Sequence, residues 1–227
     1  DAEKVVGPVF DKAMKLINEG KTEEGYAEFA NLPEWFSEVV FLGGVGLVSP
    51  GQTAESTMHL KPGKYIMECY VKMENGIFHT SMGMTKDLVV AAPDSGNAEP
   101  EADIEIEISG TDGIVYTDTI KAGKNTFSVY YKDQKAHENF VGHDVNLVKL
   151  EENGSLEDLE KWMNWADPKG LIEPAPQGLV FIGGMNDMPQ GSKGYFHTDL
   201  EPGNYVLISE VPAASTKNMM RTFIVKN

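Results

Sequence analysis

An internal repeat constrains the fold of this chain more than any other feature of its sequence. VFLGG at residues 40–44 recurs as VFIGG at 180–184, and LKPGKY at 60–65 recurs as LEPGNY at 200–205. Both motifs are 140 residues apart (180 − 40 and 200 − 60). Two separate motifs rarely share one offset by chance, so we predict a first repeat and a second repeat of one structural unit.

The segment between the two repeats has the composition of a linker. Residues 93–101 combine turn-forming and acidic residues without apolar periodicity. Beyond them, Ile104, Ile106 and Ile108 alternate with polar residues, as in a half-buried strand. We therefore predict a first domain over 1–92, a linker over 93–101 and a second domain over 102–227.

Short helices are predicted within both domains. Apolar residues at helical spacing form a stripe near the start of the chain: Val9, Phe10, Met14 and Ile17. Gly20 follows the stripe and favours a helix end, and residues 23–30 predict a second short helix. In the second domain, Ser155 is a suitable N-cap for a helix with Leu159 and Trp162 on one face.

The LKPGKY motif predicts a turn between two strands. Leu60 and Tyr65 bracket four turn residues, so we expect residues 56–60 and 65–69 to pair as a hairpin. Because side chains alternate along a strand, Cys69 should share the inward face with Tyr65.

Charge and hydropathy exclude several classes of partner. The chain holds 19 Lys and Arg against 35 Asp and Glu, a net charge of −16. This balance argues against binding to nucleic acid or anionic lipid and suits a basic partner protein. No apolar run approaches the roughly 20 residues of a membrane span, so none is predicted.

Cys69 is the only cysteine in the 227 residues, so it cannot form an intrachain disulfide. Reactivity, metal ligation and packing remain as its possible roles. His79 and Met84 follow it along the chain. A thiolate, an imidazole and a thioether are the ligand types of a mononuclear copper site.

These residues resemble the plastocyanin-type cupredoxins. Gly63, Tyr65 and Cys69 match the family pattern GxYxxxC, and HTSMGM at residues 79–84 matches HxxxGM before a final strand. His143 matches the first-ligand histidine of the family but lies in the second domain, and the loop from Cys69 to His79 is longer than in plastocyanin.

The resemblance implies an all-β fold of two cupredoxin-like Greek-key β-sandwich units with short helical insertions. It implies a copper ion held by Cys69, His79 and Met84, one-electron transfer with a redox partner protein, and a periplasmic or secreted location.

The two repeats depart from the family pattern in opposite ways. Ser209 stands 140 residues after Cys69 and no histidine follows it, so we predict no type-1 copper in the second domain, although it keeps His143. In the first domain almost nothing precedes the helix, so we expect a sandwich without its N-terminal strands, in a processed or truncated chain. Its exposed edges should be covered by a retained fragment, the second domain or another subunit in a homo- or hetero-oligomer.

Three functions stay open on the sequence. The first is copper-dependent electron transfer, the second is a Cu(I) carrier with an open site at His79, Met82 and Met84, and the third is a copper-free structural or interaction subunit. An enzyme is not predicted, because the His-Cys-His element of multicopper oxidases is absent: Cys69 is flanked by Glu68 and Tyr70.

Overall fold

The computed structural model describes residues 2–92, 95–117 and 119–226. The chain forms two compact units, each assembled from separate stretches. Unit 1 contains Asp1–Val39, Lys61–Ser95 and Pro168–Ala175, and unit 2 contains Val40–Leu60, Gly96–Asp167 and Pro176–Asn227. The predicted domains follow the repeats in the sequence, whereas these units divide the first repeat between them. Of the predicted linker, residues 93 and 94 lie outside the described ranges, and residues 95–101 form no strand or helix.

The described residues form three α-helices and eleven strands. The helices are α1 (Ala2–Asn18), α2 (Thr22–Glu28) and α3 (Leu156–Met163). The strands are β1 (Glu55–Met58), β2 (Gly63–Glu68), β3 (Thr85–Val90), β4 (Ile104–Ser109), β5 (Gly113–Tyr116), β6 (Gly123–Tyr131), β7 (Val145–Leu150), β8 (Leu179–Met185), β9 (Lys193–Leu200), β10 (Gly203–Ile208) and β11 (Met220–Val225). None of the helices in the described ranges has the length and apolarity needed to cross a membrane.

Unit 2 is a two-sheet structure. Five strands are ordered β1-β9-β6-β4-β5 and four are ordered β11-β10-β7-β8. The β4–β6 pair is parallel, and the other pairs are antiparallel. Alternate residues of both sheets form one buried core, which includes Ile106, Phe127, Phe196, Leu147 and Leu207. This core accounts for the apolar alternation in the sequence after residue 103.

Segments of the two repeats pair with each other inside unit 2. Val45 forms a bridge with Met185, and Ser56 lies opposite Phe196 in the β1–β9 pair. Each pair is separated by the repeat offset (185 − 45 and 196 − 56 both give 140). When equivalent residues of two repeats lie opposite each other in an antiparallel pair, a local twofold axis relates the paired segments. The two repeats therefore pair in the way that identical subunits pair in a symmetric dimer.

The hairpin predicted for residues 56–60 and 65–69 is wrong. β1 pairs with β9, and β2 pairs with β3. The same turn in the second repeat shows the physical reason, because β9 and β10 flank it and lie in different sheets. The Pro-Gly turn therefore ends one strand and begins another that pairs elsewhere.

Both turns are closed by the same tyrosine hydrogen bond. The Tyr65 hydroxyl donates to the Lys61 carbonyl at 2.5 Å, and the Tyr205 hydroxyl donates to the Glu201 carbonyl at 2.8 Å. Each bond spans four residues and fixes the direction in which the following strand leaves the turn.

Unit 1 combines two helices with the two-stranded β2–β3 sheet. The ring of Phe10 on α1 lies 5.0 Å from Phe29, 5.8 Å from Phe36 and 6.0 Å from Phe78, measured between centroids. Gly25 lets α2 approach α1, because a Cβ atom there would lie 2.6 Å from the Ile17 side chain. The core of unit 1 is therefore a small aromatic cluster rather than the interior of a sandwich.

Helix ends follow the sequence signals. Gly20, two residues beyond α1, has φ of 82°, which L side chains rarely adopt. The Ser155 hydroxyl accepts a hydrogen bond from the Asp158 amide at 3.2 Å and caps α3.

Candidate metal site

The loop between β2 and β3 returns on itself through backbone hydrogen bonds. The Cys69 amide donates to the Met84 carbonyl at 3.0 Å, and the Met84 amide donates to the His79 carbonyl at 3.1 Å. The Thr80 amide donates to the Cys69 carbonyl at 3.0 Å. These bonds bring Cys69, His79 and the backbone of Met84 to one end of the ribbon.

A short 3₁₀ turn, His79–Met82, positions the imidazole. It ends at Gly83, whose φ of 94° reverses the chain. A side chain at this position would strain the backbone, so glycine is required for Met84 to return to Cys69.

The thiol and the imidazole face each other directly. Cys69 Sγ lies 3.6 Å from His79 Nδ1. A metal with a sulfur ligand at ~2.3 Å and a nitrogen ligand at ~2.05 Å separates the two ligand atoms by about 3.6 Å in tetrahedral geometry and about 3.8 Å in trigonal geometry. The observed separation matches the tetrahedral value, so the spacing of the two atoms suits two ligands of one metal ion. An S–H···N hydrogen bond accounts for the same separation in the metal-free protein.

Glu173 holds the other side of the imidazole. Its Oε2 lies 3.3 Å from His79 Nε2. A carboxylate at Nε2 favours the tautomer with its proton there, which leaves the Nδ1 lone pair directed at the sulfur. Metal-ligating histidines usually have such a carboxylate on the outer nitrogen.

Backbone pairing keeps Glu173 in place. The Lys72 amide donates to the Leu171 carbonyl and the Glu173 amide donates to the Lys72 carbonyl, both at 2.9 Å. The Lys72 ammonium also donates to the Pro168 carbonyl at 2.9 Å. Sequence reasoning missed Glu173 because it lies 94 residues after His79 (173 − 79) in a segment without a recognisable motif.

The environment favours the protonated thiol when no metal is bound. Burial raises the pKa of Cys69, and the negative charges of Glu68 and Glu173 raise it further. Metal binding therefore has to displace a proton from the sulfur, and affinity should increase with pH.

Met84 contributes its backbone to the site, while its side chain is 54% exposed. Met82 in the same loop is 64% exposed. The parts of the chain that the structure describes hold no group of three or more His, Cys, Asp or Glu that could bind a metal ion. The site thus offers two strong donors, Cys69 and His79, and the same loop carries two exposed methionines.

The matching position in the second repeat is chemically different. The Ser209 hydroxyl donates to Asp144 Oδ1 at 2.6 Å, and the Glu210 amide donates to the same oxygen at 2.8 Å. Asn146 donates to the other oxygen at 2.5 Å. Burial raises the pKa of Asp144 to about 7 and that of the neighbouring Asp187 to about 6. A closed polar network therefore occupies the place of the thiol.

His143 lies beside this network and is fully buried. Its Nε2 is 3.1 Å from Nε2 of the half-buried His137. Burial lowers the pKa of both rings, that of His137 to about 4, so both are neutral at pH 7. The short distance between the nitrogens fits a hydrogen bond between neutral imidazoles.

Comparisons with protein-family models and with curated proteins gave no match. Among solved structures, auracyanin B is 14% identical with a TM-score of 0.39, over 59% of this chain and 96% of that chain. Dithionite-reduced auracyanin from the photosynthetic bacterium Roseiflexus castenholzii is 22% identical with a TM-score of 0.37, over 54% of this chain and 95% of that chain.

Counted from β4, the eight strands of unit 2 that follow the linker are ordered 2-1-3-6 in one sheet and 5-4-7-8 in the other. The chain thus crosses between the sheets after strands 3, 5 and 6, with a parallel pair at strands 1 and 3, as expected of a Greek-key sandwich. The fold of the chain is therefore mostly β and is built around the Greek-key β-sandwich of unit 2.

Proposed function

We propose that unit 1 binds one copper ion between Cys69 and His79 and that the protein uses this ion for one-electron transfer. The separation of 3.6 Å between Sγ and Nδ1 carries the proposal, because it equals the spacing of two ligands on one metal ion. Soft sulfur and imidazole donors favour copper among the common metals.

Each residue around the site has a separate role in the proposed copper binding. Bound copper supplies an exchange of one electron between Cu(I) and Cu(II). Cys69 would bind copper as the thiolate after losing its proton, and His79 would bind through Nδ1. Glu173 accepts the Nε2 proton of His79 and limits rotation of the ring. Met84, whose backbone is bonded to both residues, is the proposed weak third ligand.

The surface charge fits a protein partner in this reaction. A net charge of −16 would attract a basic redox protein and accelerate its association. We place this exchange in a periplasmic or secreted setting, in keeping with the resemblance to cupredoxins.

A Cu(I) carrier is the second candidate, favoured by the exposure of Met82 and Met84. Exposed methionines in the loop that carries a thiol and an imidazole suit transfer of Cu(I) between proteins, because ligands can exchange one at a time. Electron transfer instead requires the copper to stay in one enclosed geometry.

Copper titration separates the candidates. Cu(II) is added to the purified, metal-free chain while the visible spectrum is recorded, and Cu(I) affinity is measured by competition with a chromogenic chelator. The variants are Cys69→Ser and His79→Asn, and His59→Asn is the control at an exposed histidine outside the site.

An intense thiolate-to-Cu(II) charge-transfer band that both site variants lose and the control keeps supports electron transfer. A colourless protein with 1:1 Cu(I) binding that depends on Cys69 supports the carrier. Absence of both overturns copper binding and leaves a copper-free structural subunit.

A further inference from the structure

Strand β2 has a free edge where its counterpart in the second repeat has a partner. β10 lies between β11 and β7, whereas β2 pairs with β3 in a sheet of two strands. β3 corresponds to β11, which is itself an edge strand. Within the described ranges, the unfilled position is therefore the side of β2 away from β3.

The residues on this ribbon have the exposure of an uncovered surface. Met67 is 61% exposed, while Leu207 at the matching position is fully buried. Four large apolar residues of the ribbon are exposed: Ile66, Met67, Leu88 and Val89. Two-stranded ribbons are marginal in water, and unpaired strand edges bind other strands readily.

Charges on β2 indicate which strand fits. One face of β2 carries every second residue of the strand, namely Lys64, Ile66 and Glu68, and all three are exposed. If β2 pairs antiparallel with β2 of a second molecule about a twofold axis at Ile66, Lys64 of each molecule lies opposite Glu68 of the other. Opposite charges at such positions stabilise a strand pair.

The other residues agree with this register. The same pairing places Tyr65 opposite Met67 of the second molecule and Ile66 opposite Ile66, so aromatic and aliphatic side chains meet on both faces. β10 accepts antiparallel β7 on the matching edge, in register from Asn204 to Ile208. In the second repeat, the edge of β10 that corresponds to the free edge of β2 therefore accommodates an antiparallel strand.

We propose that two molecules of this chain associate through the free edges of β2 and form a continuous four-stranded sheet, β3-β2-β2-β3. The interface is isologous, with two Lys64–Glu68 pairs related by the twofold axis. Six-residue strands bury less than the ~1,200 Å² of a standard interface, so the dimer should be weak, with dissociation in the micromolar range or above.

Sedimentation equilibrium of the full chain tests the proposal. Protein is studied up to about 500 µM, because small interfaces bind weakly, with a metal chelator and a reductant to exclude association through copper or Cys69 disulfides. Lys64→Glu and Glu68→Lys are compared with the double variant Lys64→Glu/Glu68→Lys. Lys86→Glu on β3 makes the same charge change away from the free edge, and circular dichroism verifies folding of each variant.

The wild-type chain should dimerise, and each single charge reversal should weaken the dimer about tenfold by placing like charges opposite each other. The double variant should restore the wild-type dissociation constant, and Lys86→Glu should leave it unchanged. A chain that stays monomeric at every concentration overturns the proposal. This holds even if its β2 edge binds a different polypeptide. A dimer insensitive to the single reversals, or not restored by the double variant, also overturns it.

Discussion

The β2–β3 ribbon and the β10–β11 pair carry the same sequence motif but lie in opposite environments. Tyr65 and Tyr205 each close their turn with an equivalent hydrogen bond. After the second turn, Val206 and Leu207 are buried, whereas Ile66 and Met67 after the first turn are exposed. β7 and the five-stranded sheet cover the β10–β11 pair. Among the described strands, β2 pairs only with β3. The comparison shows that the motif sets local geometry, whereas burial depends on strands supplied from elsewhere.

Truncation of the matched core positions should give the largest difference between the repeats. Leu207→Ala removes a fully buried side chain and should lower the free energy of unfolding by about 2–5 kcal/mol. Met67→Ala should change it by less than ~0.5 kcal/mol, because Met67 is exposed. Urea unfolding at protein concentrations low enough to keep the chain monomeric measures both. Equal losses would show that β2 is as well covered as β10.

The polar network at Ser209 should make the stability of unit 2 depend on pH. Because the pKa of Asp144 in the folded state is raised to about 7, the folded carboxyl keeps its proton where the unfolded one has lost it. Its contribution to stability is complete below about pH 4 and is lost as the pH rises towards 7. The stability advantage of the wild type over Asp144→Asn should therefore shrink by about 2–4 kcal/mol from pH 4 to pH 8.

Chemical unfolding of both proteins across this pH range checks the difference directly. The opposite contribution of His137, whose pKa is lowered to about 4, is present in both proteins and cancels in the subtraction. Asp199→Asn, at an exposed carboxylate of β9, is the control. Wild-type and Asp144→Asn curves that run parallel would contradict a protonated, buried Asp144.

Local signals in the sequence were sufficient for part of this structure. The cap at Ser155, the helix end near Gly20 and the loop that joins Cys69 to His79 depend on neighbours within a few turns of chain. The Greek-key β-sandwich was an expectation from the resemblance to cupredoxins, and the strand order of unit 2 agrees with it.

Contacts between distant parts of the chain could not be predicted in the same way. β1 pairs with β9 because the repeats meet at matching positions, and no pattern within residues 55–58 specifies that partner. Glu173 reaches His79 through backbone pairing with Lys72, and His137 reaches His143 across a loop. Copper ligation by Cys69, His79 and Met84 stays a prediction.

The carboxylates beside the two histidines should differ in their effect on copper. Glu173→Gln removes the charge next to His79 Nε2 and should weaken copper binding about 10- to 100-fold, equivalent to about 1.4–2.7 kcal/mol. Asp133 lies 3.5 Å from His143 Nδ1 in the second repeat, and Asp133→Asn should have no effect on copper affinity. Competition titration with a Cu(I) chelator measures both variants. A lower copper affinity of Asp133→Asn would indicate that copper binds in unit 2.

The turn tyrosines should show the smallest effects and sharpen the comparison most directly. Tyr65→Phe and Tyr205→Phe each delete the hydroxyl bonded to a carbonyl four residues earlier, a bond worth about 0.5–1.5 kcal/mol. Because Tyr205 is buried and Tyr65 is half-buried, the loss should lie near the upper end for Tyr205 and near the lower end for Tyr65. Thermal unfolding with each variant at equal concentration measures the pair. A larger loss for Tyr65 would mean that the first turn stabilises more structure than the ribbon that follows it.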